Sequence, residues 1–444
     1  MPVEKIDCQV DLAASPHAVW DLVGDFVDDW HPSVAWCRSD HQDGRILRRF
    51  ALHGDDTEYL EQLTYYSGSD FTFRYRCLQG ISGIDTYDGH CWLTEIDAGQ
   101  TRIHWQARVS APSPRLQVVV AASRSLLQQG LDHLVGLCFT DTVESELTDV
   151  EICPARVEQL RRTPKLSYRY LAGPNGTDDW LCLFLHGIGG QADNWSSQVS
   201  LAASYMPAAA MDLRGYGESE LGTKPTRVDD YCNDIQTVCR HIGARYLVLV
   251  GLSYGSWIAT YYALHHGSHL VGLVVSGGCT GMSEATPGER DTFLQVRQQP
   301  LDEGRIPADF APIVVEKISG PEATSEQRQQ LLSSMAAISA ATYGDALACF
   351  CQPPGVFDFS RLACPVLLMT GEHDRLAPPE ELRQVSQRMV HSVNGAVDVR
   401  FEVIKGAGHV VNVEQPARFN TVLGKFLTRL SIRCATETAQ HVTT

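Results

Sequence analysis

Gly251-Leu252-Ser253-Tyr254-Gly255 sets a serine between two glycines at a junction of two very different runs. Arg245 to Val250 before it reads as a buried strand, and Ser256 to Leu264 after it reads as a helix. A chain that passes from strand to helix in so few residues must turn sharply. The glycines are needed because such a turn leaves no room for side chains. The turn lifts the serine hydroxyl clear of the sheet. The following helix aims its positive N-terminal end at any anion formed there.

Three more segments repeat the pattern of functional groups just past strand-like runs. His186-Gly187-Ile188-Gly189-Gly190 follows Leu181 to Leu185. Asp374 ends the run from Val366 to His373, and His409 ends the run from Phe401 to Gly408. The order is therefore Ser, Asp, His. A serine hydroxyl is a poor nucleophile at neutral pH, so an adjacent neutral imidazole must take its proton. His409 is the candidate base. Asp374 would hold the ring tautomer and stabilise the imidazolium. Glu372 and Glu284 are the rival carboxylates. An oxyanion would be bound by the backbone N–H of Tyr254 and one in the 186–190 loop, expected to be that of Ile188. His186, Gly187, Gly189, Trp257 and Met282 are the expected surroundings of the substrate, His186 also supporting the loop.

Asp212-Leu213-Arg214-Gly215-Tyr216-Gly217-Glu218-Ser219 fits the pattern D-x-R-G-x-G-x-S. Gly371-Glu372-His373-Asp374-Arg375-Leu376-Ala377-Pro378 fits G-x-x-D-x-x-x-P, and Gly406-Ala407-Gly408-His409 completes a base loop. On these motifs, residues from about 160 to 430 resemble the α/β-hydrolase superfamily. The nearest group is that of esterases, enol-lactonases and cofactor-free haloperoxidases. The resemblance implies a mostly parallel sheet and a helical cap at about 280–355. No phosphate-cradling loop, nucleotide motif or metal-type cluster is visible, so no cofactor and no metal are expected. Asp212, Arg214 and Ser219 are expected to brace a loop near the site.

Residues 1–150 read as a separate α+β unit. Val3 to Leu12 alternates as a strand does. A helix follows from Ser15-Pro16, with a cap and a proline at its first turn. Strand-like runs lie near 44–52, 57–66, 71–78, 86–96 and 101–110, and Pro114 to Phe139 has helical periodicity. An antiparallel sheet wrapped on one long C-terminal helix, a helix-grip, is the expected fold. Ser15 to Trp20, Trp30-His31-Pro32, Gly44 to Phe50 and Arg102 to Trp105 resemble the START-like, polyketide-cyclase-like superfamily (SRPBCC). That resemblance implies binding of apolar small molecules. Asp29, His31, Arg48, Glu58, Glu61, Tyr75 and Arg76 could face an interior, but solvated strand faces and rim positions are the expected place for them. The boundary is expected between 145 and 165, with the second domain at 151–430. Asn175-Gly176 reads as a hairpin turn before the 181–185 strand. Residues 431–444 read as a polar, disordered tail.

The 444 residues carry a net charge of −17 (36 basic, 53 acidic). That balance argues against nucleic acid and anionic membranes as partners. No run of apolar residues is long enough to span a bilayer, and no apolar leader is visible, so a cytoplasmic location is expected. The 14 cysteines are scattered without C-x-x-C, which suits reduced thiols. The expected partner is a small apolar ester or lactone, hydrolysed through an acyl-enzyme. Carbon–carbon bond hydrolysis or perhydrolysis on the same residues is the alternative. So is a bifunctional cyclase/hydrolase, or a binding protein dominated by the first domain. The oligomeric state is not legible.

Overall fold

The computed structural model describes residues 2–139 and 150–441, apart from residues 15, 25, 28, 29, 43, 44, 56, 69, 98, 99, 390, 393 and 394. Expectations placed on Ser15, Asp29, Gly44 and the acidic stretch 141–149 lie outside the described residues. The chain forms two compact units, Met1–Ser145 and Glu146–Thr444.

The first unit runs β1 (Val3–Leu12), α1 (Pro16–Val23), β2 (Val34–Gln42), β3 (Arg45–Leu52), β4 (Tyr59–Ser67), β5 (Thr72–Gln79), β6 (Thr86–Asp97), β7 (Gln100–Ser110) and α2 (Ser113–Phe139). The strands form one antiparallel sheet in the order β1-β7-β6-β5-β4-β3-β2. Strand alternation decides which face is buried. On β7, Ile103, Trp105, Ala107 and Val109 point into the core. Leu116, Val119, Leu127, Leu131 and Leu134 of α2 close on the same core as Ile6 and Phe73. The expected α+β helix-grip is therefore the observed fold. Strand β2 was not anticipated. Its second half is polar, and pairing with β3 from Val34 opposite Leu52 to Gln42 opposite Arg45 defines it.

The polar residues of this unit divide between two faces. Glu58 pairs with Arg49, and Arg76 with Asp88, on the surface. Arg48 and Glu61 form an inward ion pair at 2.6 Å. The guanidinium also donates to Phe26 O and lies over the rings of Phe26, Phe50 and Tyr75. Tyr75 Oη accepts from Trp105 Nε1 at 3.0 Å. His31 Nε2 donates to Leu126 O on α2.

The second unit runs β8 (Arg156–Leu160), β9 (Leu166–Leu171), β10 (Trp180–Leu185), α3 (Ser196–Ala202), β11 (Ala208–Met211), α4 (Val228–Ile242), β12 (Tyr246–Leu252), α5 (Tyr254–His266) and β13 (Leu270–Ser276). Four helices follow: α6 (Pro287–Asp302), α7 (Pro307–Ile318), α8 (Ser325–Ala336) and α9 (Ala340–Phe350). Then come β14 (Val366–Gly371), α10 (Pro379–Met389), the short pair β15 (His391–Ser392) and β16 (Gly395–Ala396), β17 (Val399–Ile404), α11 (Val411–Glu414) and α12 (Pro416–His441). The sheet order is β17-β14-β13-β12-β10-β11-β9-β8. From β17 to β11 all pairs are parallel; β9 and β8 are antiparallel additions.

Both faces of the parallel strands are buried, which is why they read as unbroken apolar runs. Leu181, Leu183, Leu247, Leu249 and Leu368 point to one core. Cys182, Phe184, Val248, Val250 and Met369 point to the other, where α12 supplies Phe419, Leu423 and Leu427. Helices α6 to α9 occupy the gap between β13 and β14, where a cap was expected.

Two local expectations need correction. Gly176 does turn, with φ of 87°, but no hairpin forms there, because β11 lies between β9 and β10. Parallel pairing of β10 on both sides leaves no edge for β9. The expected disordered tail is helical as far as His441. No Gly or Pro follows Gly424 in α12 to stop it.

Candidate active site

Ser253 lies between the end of β12 and the start of α5 with φ 54° and ψ −113°. This is backbone that a non-glycine residue rarely adopts. Its surroundings hold it there. A Cβ at Gly251 would collide with the backbone of Gly255, and one at Gly255 with Leu185 O. The Ser253 N–H donates to Ser276 O at 2.7 Å, tying the turn to β13.

The three dispersed residues converge. Ser253 Oγ stands 2.8 Å from His409 Nε2, and His409 Nδ1 stands 2.9 Å from Asp374 Oδ2. Asp374 Oδ1 accepts from the N–H groups of Leu376 and Ala377 at 2.8 and 3.0 Å. Burial works to raise the Asp374 pKa. The neighbouring His409 and these N–H donors outweigh burial and hold it below the usual carboxylate range. With Nδ1–H donating to Asp374, Nε2 is left as the acceptor of the serine hydroxyl proton. The rival carboxylates are engaged elsewhere. Glu372 accepts from Gly406 N–H, and Glu284 pairs with Arg388.

The 186–190 loop sits over the serine, and a Cβ at Gly187 would lie 3.3 Å from that of Ser253. His186 is 1% exposed. Its Nδ1 donates to Gly187 O at 2.8 Å, and its Nε2 accepts from Leu213 N–H at 3.1 Å. Burial drives its pKa down to about 4, so the ring is neutral. Both nitrogens are used by backbone, which fits the loop-supporting role expected of His186 but leaves no nitrogen free for a substrate, a correction to the substrate contact also expected of it.

The D-x-R-G-x-G-x-S segment braces the same loop. Asp212 accepts from Ala192 and Glu218 N–H groups, and Arg214 forks onto Asp234. Ser219 Oγ donates to Asp212 O. Tyr216 Oη donates to Ile188 O at 3.0 Å, and Ser334 Oγ of α8 donates to Gly189 O at 3.2 Å. Neither Tyr216 nor Ser334 was singled out from the sequence. Gly189 faces Met335 of the cap. Trp257, 1% exposed, is wedged between Tyr254 and Phe350 at ring distances of 5.5 and 5.4 Å. Met282 is half-buried on the loop after β13, beside Gly281, which packs on Trp257 and Phe350. Among the described residues no group of His, Cys, Asp and Glu could hold a metal ion. No helix there is long and apolar enough to cross a membrane.

Comparison with known proteins agrees with this architecture. The profile of the alpha/beta hydrolase family matches residues 182–422, more than half of the sequence. The chain belongs to the alpha/beta hydrolase family. The profile described as polyketide cyclase / dehydrase and lipid transport matches residues 4–138. Among curated relatives of this alpha/beta hydrolase is 3-oxoadipate enol-lactonase 2 of Acinetobacter baylyi, 23% identical over 56% of this chain and 89% of its own length. Another is 2-succinyl-6-hydroxy-2,4-cyclohexadiene-1-carboxylate synthase of Serratia proteamaculans, 26% identical over 56% of this chain and 92% of its own. Among solved structures, a thermophilic esterase from Thermogutta terrifontis aligns with a TM-score of 0.55 and 22% identity. It covers 62% of this chain and all of the esterase.

Proposed function

We propose that this hydrolase cleaves a small carboxylic ester or lactone through an acyl-enzyme on Ser253. The observation that carries the reading is the unbroken chain of contacts from Ser253 Oγ through His409 to Asp374. In the first half-reaction, His409 Nε2 takes the hydroxyl proton as Oγ attacks the carbonyl carbon. The Nε2–H then protonates the departing alkoxide oxygen, which leaves as an alcohol; in a lactone it stays tethered to the acyl group. In the second, the same nitrogen takes a proton from water, whose oxygen attacks the acyl carbon. The proton returns to Ser253 Oγ as the carboxylic acid leaves. Asp374 keeps the imidazole in the tautomer that both halves require. The N–H groups of Tyr254 and Ile188 are the assigned oxyanion donors; Tyr254 begins α5, where N–H groups lack intrahelical partners. No step calls for a cofactor. The relative named as an enol-lactonase supports this bond type over the carbon–carbon alternative. Residues 1–150 are assigned as a unit binding an apolar ligand.

The test is hydrolysis of short-chain nitrophenyl esters and lactones by the wild type and Ser253→Ala. A loss of about 10³-fold or more in kcat is expected. Retention of most activity by the alanine variant would refute the assignment. A fluorophosphonate should label Ser253 and no other serine.

A further inference from the structure

We infer that Glu414 is the positioning residue for His409, and that it ties the base loop to the cap. The inference rests on the catalytic reading of His409. Glu414 stands five residues after the histidine, at the end of the single turn α11, and is 1% exposed. Its carboxyl group accepts three backbone N–H groups. Oε2 takes those of Gly408 at 2.8 Å and Gly320 at 2.6 Å; Oε1 takes that of Val410 at 2.9 Å. Gly408 and Val410 are the two residues that flank His409. One side chain thus fixes the peptide on either side of the proposed base.

Gly320 belongs to the other partner, the segment leaving cap helix α7. The His409 N–H itself donates to Ile318 O at 2.8 Å. The two backbones run so close that a Cβ on Gly320 would strike Gly408 N, and one on Gly408 would strike Ile318 O. Here glycine is required by close approach, since neither residue has a positive φ. Glu414 sits at this crossing and satisfies N–H groups that would otherwise be buried without an acceptor. His409 therefore holds its 2.8 Å contact with Ser253 only while residues 318–320 are seated. The end of the cap and the placement of the base form one mechanical unit. A displacement of the order of 1 Å at a reacting group is enough to cost about 10²-fold in rate.

Glu414→Gln keeps the shape but turns an amide NH2 toward backbone donors. In a nitrophenyl ester assay it should lower kcat at least about tenfold with KM within about twofold, the pattern of a lost transition-state alignment. Labelling of Ser253 by a fluorophosphonate should slow in parallel, because labelling needs the same base. Glu414→Asp, which keeps the charge but is one methylene shorter, should recover part of the loss. Gly320→Ala leaves Glu414 untouched and pushes on the Gly408 backbone, so it should lower kcat in the same sense. It carries the test if Glu414→Gln does not fold. A folded Glu414→Gln with wild-type kcat and labelling rate would overturn the inference, as would a wild-type Gly320→Ala in the case where it carries the test. Wild-type enzyme that a fluorophosphonate fails to label at Ser253 would instead overturn the catalytic reading itself.

Discussion

At the scale of single residues, the site combines strain and burial that only the surrounding fold can sustain. Ser253 at φ 54° costs about 1–3 kcal/mol for a non-glycine residue. His186 costs something different, because it must stay neutral. Its pKa is about 4 when folded against about 6.5 in an unfolded chain. Above pH 6.5 neither state holds the proton, and the folded protein bears no penalty. As pH falls from 6.5 toward 4 the unfolded chain takes up a proton that the folded one refuses, so stability is lost across that window. The shift is worth about 3 kcal/mol by pH 4. Urea unfolding at a series of pH values should show this acid-side slope. In His186→Gln the slope should shrink by close to one bound proton. An unchanged slope in that variant would remove His186 as its source.

At the scale of elements, the loop over the serine is held by three separate parts of the chain. His186 binds it from its own strand end. Tyr216 binds Ile188 from the loop after β11, and Ser334 binds Gly189 from the cap helix α8. Tyr216→Phe removes one of these bonds and leaves the ring packed against His186 at 4.7 Å. A lost hydrogen bond with a partly buried carbonyl left behind costs about 1–2 kcal/mol. We expect that cost to appear as a kcat about five- to tenfold lower with KM little changed, since Ile188 N–H is the assigned oxyanion donor. A phenylalanine variant with wild-type kcat would show that Ile188 is held well enough without Tyr216.

Local sequence disclosed part of this arrangement and not the rest. Ser253, Asp374 and His409 were legible because each follows an apolar strand and carries local glycine punctuation. Strand, turn and functional group fall within a dozen residues. Glu414 is only five residues past His409, yet its meaning depends on Gly320, 94 positions away. Ser334 and Tyr216 likewise act on carbonyls more than 25 residues distant. No local period encodes such contacts. The edge strand β2 escaped for a related reason: its ladder belongs to β3, and its own second half, Arg38-Ser39-Asp40-His41-Gln42, has no apolar alternation in its sequence to advertise a strand. His186 was read both as a support of the loop and as a neighbour of the substrate. Only the Leu213 N–H, 27 residues on, shows that both its nitrogens are taken.

At the scale of the whole molecule, the two units differ in what they contain. Ser253, Asp374, His409, Glu414, the loop over the serine with its braces, and the cap all lie within Glu146–Thr444. That unit has apolar cores on both faces of its sheet. Nearly 300 residues bury enough surface to fold without help. The first unit has its own core, with Trp105, Phe73 and Leu131 at its centre. Residues 150–444 produced alone should therefore fold and hydrolyse a small nitrophenyl ester. Their kcat and KM should match the full chain within about twofold, as expected for parts that do not couple. A larger apolar ester sets a sharper contrast. If residues 1–150 gather apolar ligand, removing them should raise KM for that ester while kcat stays put. A folded truncation whose kcat for the small ester falls tenfold or more would show that the first unit helps build the catalytic geometry. The assignment of chemistry to the second unit alone would then be wrong.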